Sequence, residues 1–138
     1  MTLTPFHLAI PVRDVAEARQ FYVDVLGCTV GRTAEHWVDL NLFGHQLVCH
    51  QAEATKLHRN PVDGDAVPVP HFGVVLEMPV WQAFAERLKS KDVKFEIEPR
   101  IRFAGQAGEQ ATLFFFDPSG NALEFKAFND IDAELFKA

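Results

Sequence analysis

An α+β fold of two βαβββ modules, pairing into a cupped, barrel-like mixed β-sheet with flanking helices, is predicted by three features of the 138-residue sequence. The order of β-rich and helical runs occurs twice. Each half opens on a β-rich run holding one histidine, and each half ends in a run entered through a glycine turn, FGHQLV in the first and SGNALE in the second. Overlaid, the halves put His7 on His71, Val15 near Val80, Gly44 on Gly120 and Val48 on Glu124. A half of roughly 60 residues is longer than a solenoid repeat, so one internal duplication is the simplest reading.

The first module begins with PFHLAIPV as a strand. Asp14 stands three residues before Glu17, a capping-box-like start, and Ala18, Phe21, Tyr22, Val25 and Leu26 recur at helical spacing until Gly27 stops the helix. Three strands follow: CTVGRT (28–33), the alternating HWVDLNL (36–42) and, after Phe43-Gly44, HQLVCHQ (45–51). From Ala52 to Val67 charged and turn-forming residues, NPVDGD among them, indicate a connector. The order then restarts with PHFGVVLE (70–77). Pro79 opens a helix whose Trp81, Phe84, Ala85 and Leu88 share a face. VKFEIE (93–98), TLFFF (112–116) and NALEFKAF (121–128) are the remaining strands, with a Gly-containing segment, Arg100 to Gln110, between the first two. The expected organisation is a single domain over 1–138: module 1 at about 1–52, a connector at about 53–67, module 2 at about 68–128 and a C-terminal tail at 129–138. In that tail Ile131, Leu135 and Phe136 are spaced to pack on the domain or on a second subunit.

The chain is long enough to bury a core without staples. No run approaches the roughly 20 apolar residues of a membrane span, and the N-terminus lacks the pattern of a secretory signal. Cys28 and Cys49 lack CxxC spacing and read as small buried hydrophobes in a reducing compartment, which predicts a cytoplasmic protein with no membrane partner. With 13 basic residues against 19 acidic and no basic cluster, nothing neutralises a phosphate backbone, so nucleic acid is not an expected partner.

Glu124 lies among Ala122, Leu123 and Phe125, and an acid in a strand core costs several kcal/mol unless its charge is compensated. If the two units face each other, His7, His71 and Glu124 converge, and two imidazoles and a carboxylate bind one divalent ion. Val48, the fourth symmetric position, cannot ligate, which leaves open positions as catalytic sites do. Taken singly, each histidine also reads as a hydrogen-bonded strand residue, and Glu124 as a side chain turned to solvent. Phe103, Phe114, Phe116 and Trp37 line an apolar pocket or fill the core, Arg100 and Arg102 meet an anionic substrate or water, and His36 and His58 are surface or loop residues.

The stretches HLAIPVRDVAEARQFYVDVLG, PHFGVVLE and FFFDPSGNALEFKAF resemble the vicinal oxygen chelate superfamily, which includes glyoxalases, bleomycin and fosfomycin resistance proteins and extradiol dioxygenases. GHQLVCH, NPVDGDAVPVPHFG and GEQATLFFFDPSGNALEFK are most similar to small dioxygenases of the extradiol kind. The resemblance implies a metal-dependent oxidoreductase and a homodimer, with a small vicinal-oxygen, catechol-like substrate. It implies His7, His71 and Glu124 as the metal ligands, a set suited to Fe(II), with Mn(II), Zn(II) or Ni(II) as alternatives. Catechol-cleaving members place an acid/base histidine at the start of the fourth strand, where GHQLV has His45. Strand alternation puts Gln46, Val48 and His50 on one face and His45 on the other, so His45 and His50 both stand as candidates. Two positions depart from the dioxygenase pattern: Phe114 stands where those enzymes have tyrosine and Gly105 where they have histidine. A glyoxalase-like lyase or isomerase, a thiol transferase and a non-catalytic ligand-sequestering protein therefore remain alternatives, because the fold does not choose among them.

Overall fold

The computed structural model describes residues 3–62 and 64–137; residues 1, 2 and 138 of the expected domain and residue 63 of the expected connector lie outside them. The described chain divides into two units. One takes the chain up to Lys56 with the Asp117–Asn121 turn, and the other takes Leu57–Phe116 with the chain from Ala122 onward.

The first unit runs β1 (His7–Val12), α1 (Val15–Gln20) continued by a π-helical turn (Phe21–Val25), β2 (Thr29–Thr33), β3 (Trp37–Leu42) and β4 (His45–Gln51). Its sheet has the order β1-β4-β3-β2, with β1 parallel to β4 and the other neighbours antiparallel. The Asp14 carboxylate accepts from the Glu17 N–H at 2.8 Å and starts the helix. Glu17 does not close the capping box; it accepts two hydrogen bonds from the Arg13 guanidinium, at 2.7 and 2.8 Å. Gly27, at φ 84°, provides the left-handed residue that ends the turn. Alternation buries Ile10, Val12, Val38, Leu40, Leu47 and Cys49, and the helical segment adds Val15, Ala18, Tyr22 and Leu26.

Within this unit the DPSGN turn has its own polar anchor. Asp117 accepts from the Tyr22 hydroxyl at 2.8 Å, from the backbone N–H groups of Ser119 and Asn121 at 2.9 and 2.8 Å, and from Asn121 Nδ2 at 2.9 Å. Asn121 Nδ2 also donates to the Pro11 carbonyl at 2.7 Å, tying the turn to β1. Such a buried network is sustained because every member finds a partner. Burial first, and the Asp117 charge second, push the Tyr22 hydroxyl well above its ordinary value; burial pushes the Cys49 thiol up to about 12. Both groups hold their protons more tightly folded than unfolded. The stability they contribute is therefore complete below pH 9.0 and is lost as pH rises, for Cys49 through about 12 and for Tyr22 from 10.0 upward. Thermal unfolding followed between pH 7 and pH 11 should show a flat midpoint up to about pH 9 and a falling one above it, with a shallower fall in Cys49→Ala.

The second unit holds β5 (His58–Val62), β6 (Asp65–Val69), β7 (His71–Phe72), β8 (Val75–Glu77), α2 (Met78–Ser90), β9 (Phe95–Arg102), β10 (Gln110–Phe116), β11 (Ala122–Phe128) and α3 (Ile131–Glu134). Its main sheet is ordered β7-β11-β10-β9, with β8 also on β11, and both opening strands run parallel to β11. This repeats the first sheet strand for strand, and neither sheet closes on itself. Pro79 sits in the first turn of α2, whose Trp81, Phe84, Ala85 and Leu88 are buried; the Trp81 indole N–H donates to the Phe125 carbonyl at 2.9 Å.

Several local expectations shift. His58–Val62 and Asp65–Val69 pair as a β5–β6 hairpin where a connector was expected, because every residue of β5 is exposed and its pattern carries no apolar alternation. Val67 of β6 is nevertheless buried with Phe114 and Ala122, against Leu57, Ile97 and Phe116. The run 70–77 breaks into two strands around Gly73. Strand β9 continues to Arg102 through an irregular register opposite Thr112–Phe114, where Glu98-Pro99 supplies the extra residue that a proline-bearing bulge tolerates. Phe136 is 93% exposed and does not pack on this chain. Among the described residues no helix is long and apolar enough to cross a membrane.

Candidate metal centre

Strand register builds the second unit's site. Ala122, Glu124, Lys126 and Phe128 share one face of β11, while Leu123, Phe125 and Ala127 are fully buried on the other. His71 pairs with Ala122 in parallel register, so its imidazole lies on the Glu124 side. His71 Nε2 and Glu124 Oε1 are 3.3 Å apart, with the two side chains 29% and 14% exposed. The structure thus brings together two of the three expected ligands.

Each of the two is held from behind. His71 Nδ1 is 2.7 Å from the Pro68 carbonyl oxygen, so Nδ1 is the donor and Nε2 is the nitrogen turned toward Glu124. The Thr112 hydroxyl donates to Glu124 Oε2 at 2.7 Å, leaving Oε1 forward. Metal-ligating histidines and carboxylates are oriented by this kind of outer contact. The 3.3 Å separation is close to the about 3 Å edge spanned by two ligands at right angles on one ion at 2.0–2.2 Å. In donor chemistry and spacing, His71 and Glu124 fit a divalent ion. Phe114, fully buried, sets its ring edge-on to His71 at 5.1 Å and offers no hydroxyl.

His7 stands in the first unit, exposed at the start of β1. Its Nδ1 lies 2.8 Å from Gln46 Oε1, an acceptor, so this ring also keeps Nδ1–H and presents Nε2, the same tautomer as His71. Among the described residues, no group of three or more His, Cys, Asp and Glu side chains is gathered in metal-ligating geometry. The two acid/base candidates occupy different places. His45 Nδ1 accepts the Phe6 N–H at 2.9 Å, which leaves its Nε2 as the protonated nitrogen. His50 shares a face with Gln46 and Val48, in register with Pro11, four residues from the His7–Gln46 pair. That is about 13 Å of strand.

The second unit also contains a cavity of about 310 Å³ into which His71, Glu124 and Thr112 open, with Val67 and Ile97 on its apolar side. The hairpin is tied to β9 beside it: Arg59 meets Glu96 at 2.8 Å, and Arg100 meets Asp65 at 3.0 Å. Gln46, Thr112 and the Pro68 carbonyl escape sequence reasoning. Gln46 and Thr112 are ordinary strand residues in isolation, and register arithmetic, placing Gln46 opposite His7, gives a signal for Gln46 alone.

A family model described as the Glyoxalase/Bleomycin resistance protein/Dioxygenase superfamily matches residues 4–125. A glyoxalase/bleomycin resistance protein/dioxygenase from Alicyclobacillus acidocaldarius is 35% identical, with a TM-score of 0.76 and 96% of each chain covered. The fosfomycin resistance protein FosX from Listeria monocytogenes is 16% identical at a TM-score of 0.65, over 92% of this chain and 94% of that one. A lactoylglutathione lyase from Agrobacterium tumefaciens is 17% identical at 0.65, over 91% and 94%. The last two share the fold. No curated protein sequence matches the chain.

Proposed function

Because the chain belongs to the glyoxalase/bleomycin resistance protein/dioxygenase superfamily, the vicinal oxygen chelate superfamily, we propose that it is a metal-dependent, dioxygenase-like enzyme acting on a small catechol-like substrate with two adjacent oxygens. The observation that carries this reading is the His71–Glu124 pair, aimed at one point and braced by Pro68 and Thr112. His7 is the third ligand, on the strength of its matching tautomer, in a homodimeric cytoplasmic protein whose Cys28 and Cys49 are buried and form no disulfide. Two imidazoles and one carboxylate suit Fe(II), with Mn(II), Zn(II) or Ni(II) as alternatives, and leave positions open. When bound, such an ion supplies Lewis-acid polarisation of the substrate's paired oxygens.

The chain's own groups do the rest. Thr112 and the Pro68 carbonyl fix the orientation of Glu124 and His71 before substrate arrives, so no reorganisation is spent at the moment of reaction. Val67, which lines the cavity, packs with Phe114 and Ala122 in a buried apolar cluster behind it. Proton transfer falls to His45 or His50: His45 adjoins Gln46 on the opposite face of β4 and keeps Nε2 protonated, while His50 shares the Gln46 face but stands about 13 Å along the strand. A redox-neutral lyase, isomerase or thiol transferase is the second reading, favoured by Phe114, whose ring brings no phenol to the site.

Metal analysis of protein purified without added metal, followed by oxygen uptake on catechols with Fe(II) restored, tests the proposal. It expects oxygen-dependent turnover that falls by about 10²–10⁴ in either His45→Gln or His50→Gln, the variant that falls identifying the acid/base group. Turnover that persists without oxygen supports the redox-neutral reading. Tight ligand binding that survives chelation, with His7→Ala harmless, points to a sequestering protein.

A further inference from the structure

Four registered rows cross the cavity-facing side of the second sheet. Ala122 and Phe116 form an apolar row, Glu124, Phe114 and Ile97 the next, Lys126, Thr112 and Arg100 the third, and Phe128, Gln110 and Arg102 the last. The reacting pair of the proposed function lies at the second row. Beyond it the cavity lining turns cationic, with Lys126, Arg100 and Arg102 against only two carboxylates, in a chain whose formal net charge is −6.

Both carboxylates are already engaged. Asp65 holds Arg100 at 3.0 Å, and Glu124 is shared between His71 and the Thr112 hydroxyl. Arg102 lies over the Phe103 ring, 5.3 Å from its centroid. Lys126 is in a different position: its exposed side chain lines the open side of the cavity on the same strand face as Glu124 and, among the described residues, has no hydrogen-bond or ion-pair partner. An ammonium group on a concave, positively biased wall lowers its energy by meeting an anion.

We propose that this end of the cavity is an oxyanion subsite: Lys126, with Thr112 and Gln110 beside it and the two arginines beyond, receives a carboxylate or phosphonate group of the substrate. The placement of the substrate's other end rests on reading His71 and Glu124 as the reacting end. Glu124 and Lys126 are two residues apart on one strand face, so the charged group stands about 7 Å from the paired oxygens. The cavity of about 310 Å³ has room on the order of ten water volumes, the size of a single substituted ring or a short chain. The substrate class is therefore a compact acid, such as a dihydroxybenzoate-like molecule, and an uncharged diol lacks half of its recognition.

The test uses anions that carry no paired oxygens, so that it is independent of any metal. The full-length chain is treated with chelator, dialysed free of it, and titrated with benzoate and with phenylphosphonate, chemical shifts reporting binding; benzamide is the neutral control. At least one anion should bind saturably and the amide should not, with the preference between the two anions identifying the natural group. Lys126→Gln should weaken that binding at least tenfold, Lys126→Arg should restore it to within about threefold, and raising NaCl from 50 to 500 mM should weaken it further. Absence of saturable binding by both anions, or equal affinity in Lys126→Gln, overturns the subsite. Lys126-dependent anion binding in a protein that takes no metal and turns over no diol keeps the subsite and removes the dioxygenase reading. Diol turnover without anion binding does the reverse.

Discussion

Replacing Glu124 with glutamine should lower affinity for divalent ions by at least about a hundredfold while leaving the second sheet folded. Losing an outer contact of a ligand typically costs 10–100-fold in metal affinity, so removing the charge of a ligand should cost no less. The fold is expected to survive because the amide keeps hydrogen-bonding capacity toward both neighbours. Its oxygen can accept from the Thr112 hydroxyl, now at 2.7 Å from Oε2, and its NH₂ can donate to His71 Nε2, now at 3.3 Å from Oε1. With both partners satisfied, the change in unfolding free energy should stay within about 1 kcal/mol. Ion titration and denaturant unfolding on the same variant separate the two effects. Metal retained at parental affinity excludes Glu124 as a ligand.

The largest expected loss of stability comes from Gly73→Ala. Opposite Glu124 the opening strand is interrupted: His71–Phe72 pair with Ala122–Leu123, Val75–Glu77 pair with Lys126–Phe128, and Gly73 crosses between them. A Cβ built on Gly73 would overlap the Glu124 carbonyl oxygen and crowd its carbon. Those are backbone atoms of a central strand and cannot swing aside as the end of a flexible side chain would. The variant should lose about 3 kcal/mol, the upper part of the range for overpacking, and lose divalent-ion binding with it, since His71 and Glu124 are both positioned by this contact. A denaturant midpoint equal to the parent's contradicts so close an approach of the two strands.

Much of this arrangement was legible before any coordinates. The duplication put His7 and His71 on equivalent opening strands, and both units realise it as the same strand order. Strand β4 begins and ends where HQLVCHQ was read, because its boundaries are set by a local glycine turn with positive φ at Phe43 and Gly44. What was not legible depends on residues remote in sequence. The β5–β6 hairpin escaped because its apolar contact, Val67 on Phe114 and Ala122, is made with strands more than 40 residues away, while β5 itself faces solvent. Arg100 and Arg102 read as loop residues because Pro99 interrupts the alternation, although the sheet absorbs the proline as a bulge. Gly73 carries no local turn signal; its smallness is required by a backbone 51 positions later. The acid in the closing strand was readable as an anomaly, and its partner His71 as the repeat counterpart of His7. Thr112 and the Pro68 carbonyl, which aim the pair, belong to register and hairpin geometry.

Anomalous diffraction from crystals of the protein soaked in Mn(II) locates the ion directly. A single strong peak bonded to His71 Nε2 and Glu124 Oε1 at about 2.0–2.2 Å, with His7 Nε2 as the third protein donor, is the predicted result. A peak that avoids those atoms, or none at saturating Mn(II), would contradict it.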